Sequence, residues 1–265
     1  LWRKEDVEAV VRKEEVQQLI AEIAASRRRD RDLSEARLLL LNYTPEALIA
    51  KAKQLKRVFV LHVGPTNSGK THDALEALKS SGNGTYLGPL RLLALEMFDR
   101  INAAGIPCSL LTGEESITTP EAQIVASTIE LCSYHRHFRV AVIDEAQLIT
   151  DDERGASWLK AICCVDADEV HICLAPEALG ILESLISQFG DPYTIVRHKR
   201  LVPLEYKGRC NGFEELQPAD AVICFSRKNV LSVAAHLERY GFRASVIYGA
   251  LPPVGLFFQF LISFL

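Results

Sequence analysis

Gly64-Pro65-Thr66-Asn67-Ser68-Gly69-Lys70-Thr71 is the stretch on which the reading of this chain turns. It satisfies every position of G-x-x-x-x-G-K-[ST], the pattern of a phosphate-binding loop. The apolar run Val58-Phe59-Val60-Leu61-His62-Val63 precedes it, and a helix-like stretch from Thr71 to Leu78 follows. Strand, loop and helix in that order are the context in which the motif carries chemistry. Gly64 and Gly69 let the backbone curl with no Cβ in the way. The N–H groups of the loop then face an anion, and the following helix adds the positive end of its dipole. Lys70 is expected to meet the β- and γ-phosphates of ATP, and Thr71 to give its hydroxyl to Mg²⁺.

A second stretch completes that chemistry. Val140-Ala141-Val142-Ile143-Asp144-Glu145-Ala146-Gln147 reads as a buried strand ending in two acids. A parallel strand covered on both faces is a continuous apolar run. Asp144, at its carboxyl end, is expected to hold the Mg²⁺ shell, and Glu145 to orient or deprotonate an attacking water. Between and beyond these motifs the pattern alternates. Strands are expected at Val58–Val63, Thr85–Leu87, Ser109–Leu111, Gln123–Ala126, Val140–Ile143 and Glu169–Leu174, with helices at Ala74–Lys79, Leu90–Ala103 and Ala178–Gln188. Such alternation predicts right-handed crossovers and a parallel sheet.

Residues 1–56 read as a charged helical segment with partial amphipathic faces, and Thr44-Pro45-Glu46 as a helix start. Arg27-Arg28-Arg29-Asp30-Arg31-Asp32 reads as a solvated face or turn in preference to a nucleic-acid patch. After His198 a stretch with Pro203, Gly208, Gly212 and Pro218 leads into a second unit. That unit offers a strand at Ala221-Val222-Ile223-Cys224-Phe225, a helix over Lys228–Tyr240 and a strand over Ala244–Tyr248.

Composition limits the alternatives. At 48% apolar and 24% charged, 265 residues suffice for one large domain or two smaller ones. Residues 1–57 hold 13 Lys/Arg against 10 Asp/Glu, and the remainder 17 against 24, so overall charge gives no support to nucleic-acid binding and any such site is a local groove. The 7 cysteines form no C-x-x-C pair, which excludes zinc-ribbon spacing, and they suggest a reducing compartment. No apolar run reaches the roughly 18–20 residues of a membrane span.

The two motifs are joined by others in a fixed order: Gly88-Pro89-Leu90-Arg91-Leu92-Leu93-Ala94, Thr112-Gly113-Glu114-Glu115 and Ala126-Ser127-Thr128-Ile129-Glu130. Together with the Asp-Glu-Ala-Gln box they resemble the mitochondrial degradosome ATP-dependent RNA helicase family, DExH-type enzymes of superfamily 2. Cys224-Phe225-Ser226-Arg227 and Val246-Ile247-Tyr248-Gly249-Ala250-Leu251-Pro252-Pro253 resemble that family's second RecA-like domain. The resemblance implies an α/β fold: a helical segment 1–56, a P-loop RecA-like domain 57–197, the start of a second, incomplete RecA-like domain 198–253, and a divergent apolar tail 254–265. It also implies RNA contacts at Pro89, Leu90, Arg91, Thr112, Gly113, Ser127, Thr128, Ser226 and Arg227. Gln147 would communicate between ATP and the second domain, while His171 reads as a strand-end residue. An exoribonuclease partner and a mitochondrial matrix address follow from the resemblance alone.

The family continues with an arginine-rich motif that this chain does not carry, so the expected product is an incomplete form that binds ATP and hydrolyses it poorly. Two other readings stand beside it. Thymidine kinases share the loop and the Asp-Glu-Ala-Gln box, although they carry paired C-x-x-C units. A non-catalytic ATP- or RNA-binding fragment is the third.

Overall fold

The computed structural model describes residues 44–200, 202–206, 208, 212–217 and 220–248. The helices expected over residues 1–43, the segment from Gly249 to Pro253 and the apolar tail 254–265 lie outside these. The chain divides into two units between Leu201 and Val202.

The first unit starts with α1 (Pro45–Ala52), where the Thr44 side chain accepts from the Ala47 N–H and Pro45 fills the first turn. Then follow β1 (Val58–Val63), α2 (Lys70–Ser81), β2 (Gly84–Gly88), α3 (Arg91–Ala103), β3 (Cys108–Leu111), β4 (Ser116–Ile117), β5 (Ile124–Thr128), β6 (Phe138–Ile143), α4 (Gly155–Cys164), β7 (Ala167–Leu174), α5 (Leu179–Phe189) and β8 (Tyr193–Arg197). The strands form one sheet in the order β4-β3-β5-β2-β6-β7-β1-β8. Every pairing is parallel except the short β3–β4 ladder at one edge.

Strand alternation builds a core on each face of this sheet. Phe59, Leu61 and Val63 of β1 join Ala141 and Ile143 of β6 and Val170, Ile172 and Leu174 of β7 under α1, α4 and α5. Tyr86, Leu110, Ala126, Val140, Val142 and Cys173 face the other way, under Ala74, Leu75 and Leu78 of α2 and Ala94, Met97 and Ile101 of α3. Burial on both faces explains why the central strands read as near-continuous apolar runs. The result is the α/β architecture expected of a RecA-like P-loop domain.

Three elements of this unit escaped the sequence reading. β4 is two exposed residues, and β8 is an edge strand whose side chains are half-buried or exposed, so neither shows an apolar run. α4 begins at Gly155, a weak helix former, and its buried face is Trp158, Ala161, Ile162, Cys163 and Cys164. His171 also differs from expectation: it lies within β7, paired with Val60 and Val142, and is buried.

In the second unit the expected helix is present as α6 (Arg227–Arg239), with Ser226 capping the Asn229 N–H at 3.2 Å. The two flanking strands are not. Residues 221–225 and 244–248 make no ladder among the described residues. Ile223 is 77% and Phe225 99% exposed. A strand is defined by its pairing, and neither apolar run forms a ladder among the described residues.

Candidate functional site

The parallel strands all end on one edge of the sheet, where ligands of open α/β sheets bind. At the carboxyl end of β1 the chain turns through the phosphate-loop residues Gly64, Pro65, Thr66, Asn67, Ser68 and Gly69 into α2, which opens with Lys70 and Thr71. Asn67 and Gly69 have φ of 57° and 84°, and these left-handed positions make the curl. A Cβ on Gly64 would stand 2.7 Å from Ser68 Oγ and 2.8 Å from the His198 carbonyl, so only glycine fits. Ser68 Oγ is buried and has no hydrogen-bond partner among the described residues.

Lys70 is 5% exposed. Among the described residues its ammonium has one acceptor, the Pro65 carbonyl at 3.2 Å, and no carboxylate pairs with it. A buried cation without a counter-charge is costly, so the loop has the chemistry to take an anion. Asp144 and Glu145 leave the end of β6, two strands away in the sheet. The Thr71 hydroxyl lies 3.3 Å from both Asp144 oxygens, Tyr86 donates its hydroxyl to Oδ2 at 2.9 Å, and the Glu145 N–H donates to Oδ1 at 2.9 Å. Burial raises the Asp144 carboxyl above its ordinary range, and the Tyr86 hydrogen bond opposes that shift. Burial beside Asp144 in turn keeps the Tyr86 phenol protonated. One hydroxyl and one carboxylate so close, over a loop suited to phosphates, fit a hard divalent cation such as Mg²⁺.

Glu145 has a φ of 51°, uncommon for a residue with a side chain. Its carboxylate accepts from the Gln147 side-chain amide, whose oxygen accepts from the Ala175 N–H at 3.1 Å, at the end of β7. Gln147 therefore ties the β6 and β7 ends together. Trp158 of α4, fully buried, donates Nε1 to the Asp144 carbonyl at 3.0 Å. Tyr86 and Trp158 carry no motif, and sequence reading passed them over. They reach Asp144 across 58 and 14 residues of chain.

Beneath the loop lies a row of histidines. His62 Nε2 is 2.9 Å from His171 Nδ1, and His62 Nδ1 is 3.1 Å from His198 Nε2. Glu169 lies 3.0 Å beyond His171, and Asp73 of α2 lies 3.8 Å beyond His198. Burial holds His62 near a pKa of about 4, with its two histidine neighbours adding to the shift.

The segments expected to meet RNA leave the other half of the edge, after β2, β5 and β3. Pro89 is buried and Leu90 is 54% exposed, while Arg91 opens α3 and pairs with Glu114. Gly113 and Glu114 are exposed. Two hydroxyls face elsewhere. Thr112 Oγ1 donates to the Glu115 carbonyl at 3.2 Å and accepts from the Glu115 N–H at 3.0 Å, closing its own turn. Ser127 is buried and donates to the Thr128 carbonyl at 3.1 Å. Thr128 is half-buried. In the second unit Ser226 and Arg227 are exposed at the start of α6, and Arg227 lies over the Tyr248 ring at 4.9 Å.

Residues 45–198 match the family model described as the DEXQ-box helicase domain of Suv3. The chain is 42% identical over 217 residues to the mitochondrial ATP-dependent RNA helicase SUPV3L1 of Mus musculus, covering 80% of this chain and 27% of that protein. It is 41% identical over 207 residues to the Homo sapiens protein of the same name, covering 76% and 26%. To the mitochondrial DExH-box ATP-dependent RNA helicase DExH18 of Arabidopsis thaliana it is 42% identical over 205 residues, covering 76% and 26%. The chain thus spans about a quarter of the length of the curated relatives it matches.

Proposed function

The chain belongs to the Suv3 family of DEXQ-box helicases, and on that premise we propose that it is the nucleotide-binding part of an RNA-stimulated ATPase that unwinds RNA. The observation that carries the proposal is Lys70: a buried ammonium with no carboxylate partner among the described residues, at the mouth of a loop shaped by Gly64, Asn67 and Gly69.

ATP with Mg²⁺ would supply the phosphoryl group whose release drives the motor. Residues 64–71 would cradle the phosphates, Lys70 would neutralise their charge, and Thr71 and Asp144 would hold the cation. Glu145 would accept a proton from the attacking water, oriented by its contact with Gln147. Gln147 would report the state of that site to the β7 end through Ala175. Pro89, Leu90, Arg91, Thr112, Gly113, Ser127 and Thr128 would form the RNA track on the first domain, with Ser226 and Arg227 serving the second. Thr112 and Ser127 would serve through the backbone they brace, since their hydroxyls bind main-chain carbonyls. We assign residues 57–197 to the ATP-binding domain and residues 198–253 to part of a second RecA-like domain. The relatives' names place them in mitochondria, and a matrix site with an exoribonuclease partner is proposed here by extension. Family membership leaves the thymidine kinase reading without support.

The test is ATP binding and hydrolysis by the purified chain, with and without single-stranded RNA. Lys70→Ala is expected to remove tight ATP binding, and unchanged affinity would sink the loop assignment. Glu145→Gln is expected to keep ATP binding and lose any turnover; equal hydrolysis by that variant would remove Glu145 from its role. RNA stimulation of the wild type distinguishes a motor from a binding module.

A further inference from the structure

Arg154 stands where the two halves of the strand-end edge meet. It lies in the turn before α4, where Asp151 Oδ1 accepts from the Glu153 and Arg154 N–H groups at 3.1 and 2.8 Å. From there its guanidinium reaches three neighbours. Nη2 donates to the Pro89 carbonyl at 2.5 Å. Nη2 and Nε donate to Glu130 Oε1 at 2.7 and 3.1 Å. Its central carbon lies 5.4 Å from the centre of the Trp158 ring, the indole that donates to the Asp144 carbonyl.

We propose that Arg154 is a positioning residue for RNA, holding the segment after β2 and the segment after β5 in one register and cancelling the Glu130 charge between them. The inference rests on the RNA-dependent reading above. Two physical arguments support it. Pro89 is buried, and among the described residues the donor to its carbonyl is Arg154. Removing the guanidinium strands that carbonyl and frees the turn that leads into Arg91. Glu130 lies two residues beyond Thr128, after the buried Ile129, and its side chain is 41% exposed. An unpaired carboxylate there repels the phosphates that the track must accept. Lysine is no substitute, because the planar fork reaches a carbonyl and a carboxylate together, whereas an ammonium is a single point charge.

The experiment is fluorescence anisotropy of labelled oligouridylate RNA with the full 265-residue chain, beside ATP affinity for each variant. Arg154→Ala is expected to raise the RNA Kd about 10-fold, a loss of the size seen when a charge-assisted hydrogen bond goes. ATP affinity should fall far less. Arg154→Lys is expected to lose about 3-fold in RNA affinity, keeping charge but not the fork. Adding Glu130→Gln to Arg154→Ala should restore part of the loss, which a purely structural role would not do. Wild-type RNA affinity in Arg154→Ala overturns the inference, as does a double variant no better than the single. If Arg154→Ala does not fold, Arg154→Lys decides, and an unchanged RNA Kd in it overturns the inference. A wild-type chain that binds no RNA overturns the reading and this inference with it. Binding by the wild type with no effect at Arg154 overturns this inference alone.

Discussion

Residues 58–81 and residues 221–239 carry the same pattern, an apolar run followed by a capped helix, yet they behave differently. In the first, β1 lies between β7 and β8, and Phe59 and Leu61 are completely buried. In the second, α6 forms, while Val222, Ile223 and Phe225 are exposed. Helical hydrogen bonds close within a segment, whereas a strand's are made by its neighbours. An apolar run therefore announces a strand only where partners exist. The first run also gains two covering layers, and these give the phosphate loop that leaves it a rigid base.

The sharpest way to test that difference is to damage the covering layer. Trp158 is fully buried under the sheet and also anchors the Asp144 carbonyl. Trp158→Ala should cost about 3–5 kcal/mol of unfolding free energy, the range for deleting a large aromatic core side chain. Urea denaturation followed by circular dichroism measures it. A loss below about 1 kcal/mol would mean that α4 does not pack on the sheet as described, because surface changes alone give that little.

Much of this site was legible, and the boundary has a physical cause. Gly64 to Thr71 is one contiguous motif and Asp144-Glu145 another, so each could be read from spacing within it. The four central strands could be read because both of their faces are apolar. What escaped were residues that act across the chain. Tyr86 meets Asp144, and Arg154 meets Pro89, only because β2 and β6 are neighbours in the sheet. Nothing near either residue in sequence records that. At Thr112 and Ser127 the resemblance implies RNA-backbone contacts, and in the structure their hydroxyls take local main-chain partners. His171 reads in sequence as a strand-end residue in preference to a catalyst. It lies mid-strand, with His62 Nε2 2.9 Å from its Nδ1 and Glu169 3.0 Å from its Nε2.

A second difference should show in acid. Burial lowers His62 to about 4, and His171 is lowered for the same reason. An unfolded histidine titrates near 6.5, so between roughly pH 6.5 and 4 the unfolded chain binds more protons than the folded one. The stabilisation is present above that window and is lost as pH falls through it. The expected loss for the sheet unit is on the order of 2–3 kcal/mol. Urea midpoints at pH 7 and pH 5 would show it, and His62→Asn should flatten the slope. An unaltered slope in that variant would place the titrating group elsewhere.

The smallest effect is the most discriminating. Phe225 is 99% exposed, so Phe225→Ser removes almost no buried area. It should move unfolding free energy by no more than about 0.5 kcal/mol, the usual range for surface positions. Phe59→Ala, at a fully buried ring in the corresponding run of the first unit, should cost about 3–5 kcal/mol. The contrast comes from packing rather than side-chain chemistry, since both positions hold phenylalanine in an apolar stretch. A loss above about 1 kcal/mol for Phe225→Ser would show the ring to be covered in solution. The run 221–225 would then be a paired strand after all, and the two patterns would have the same structure as well as the same sequence.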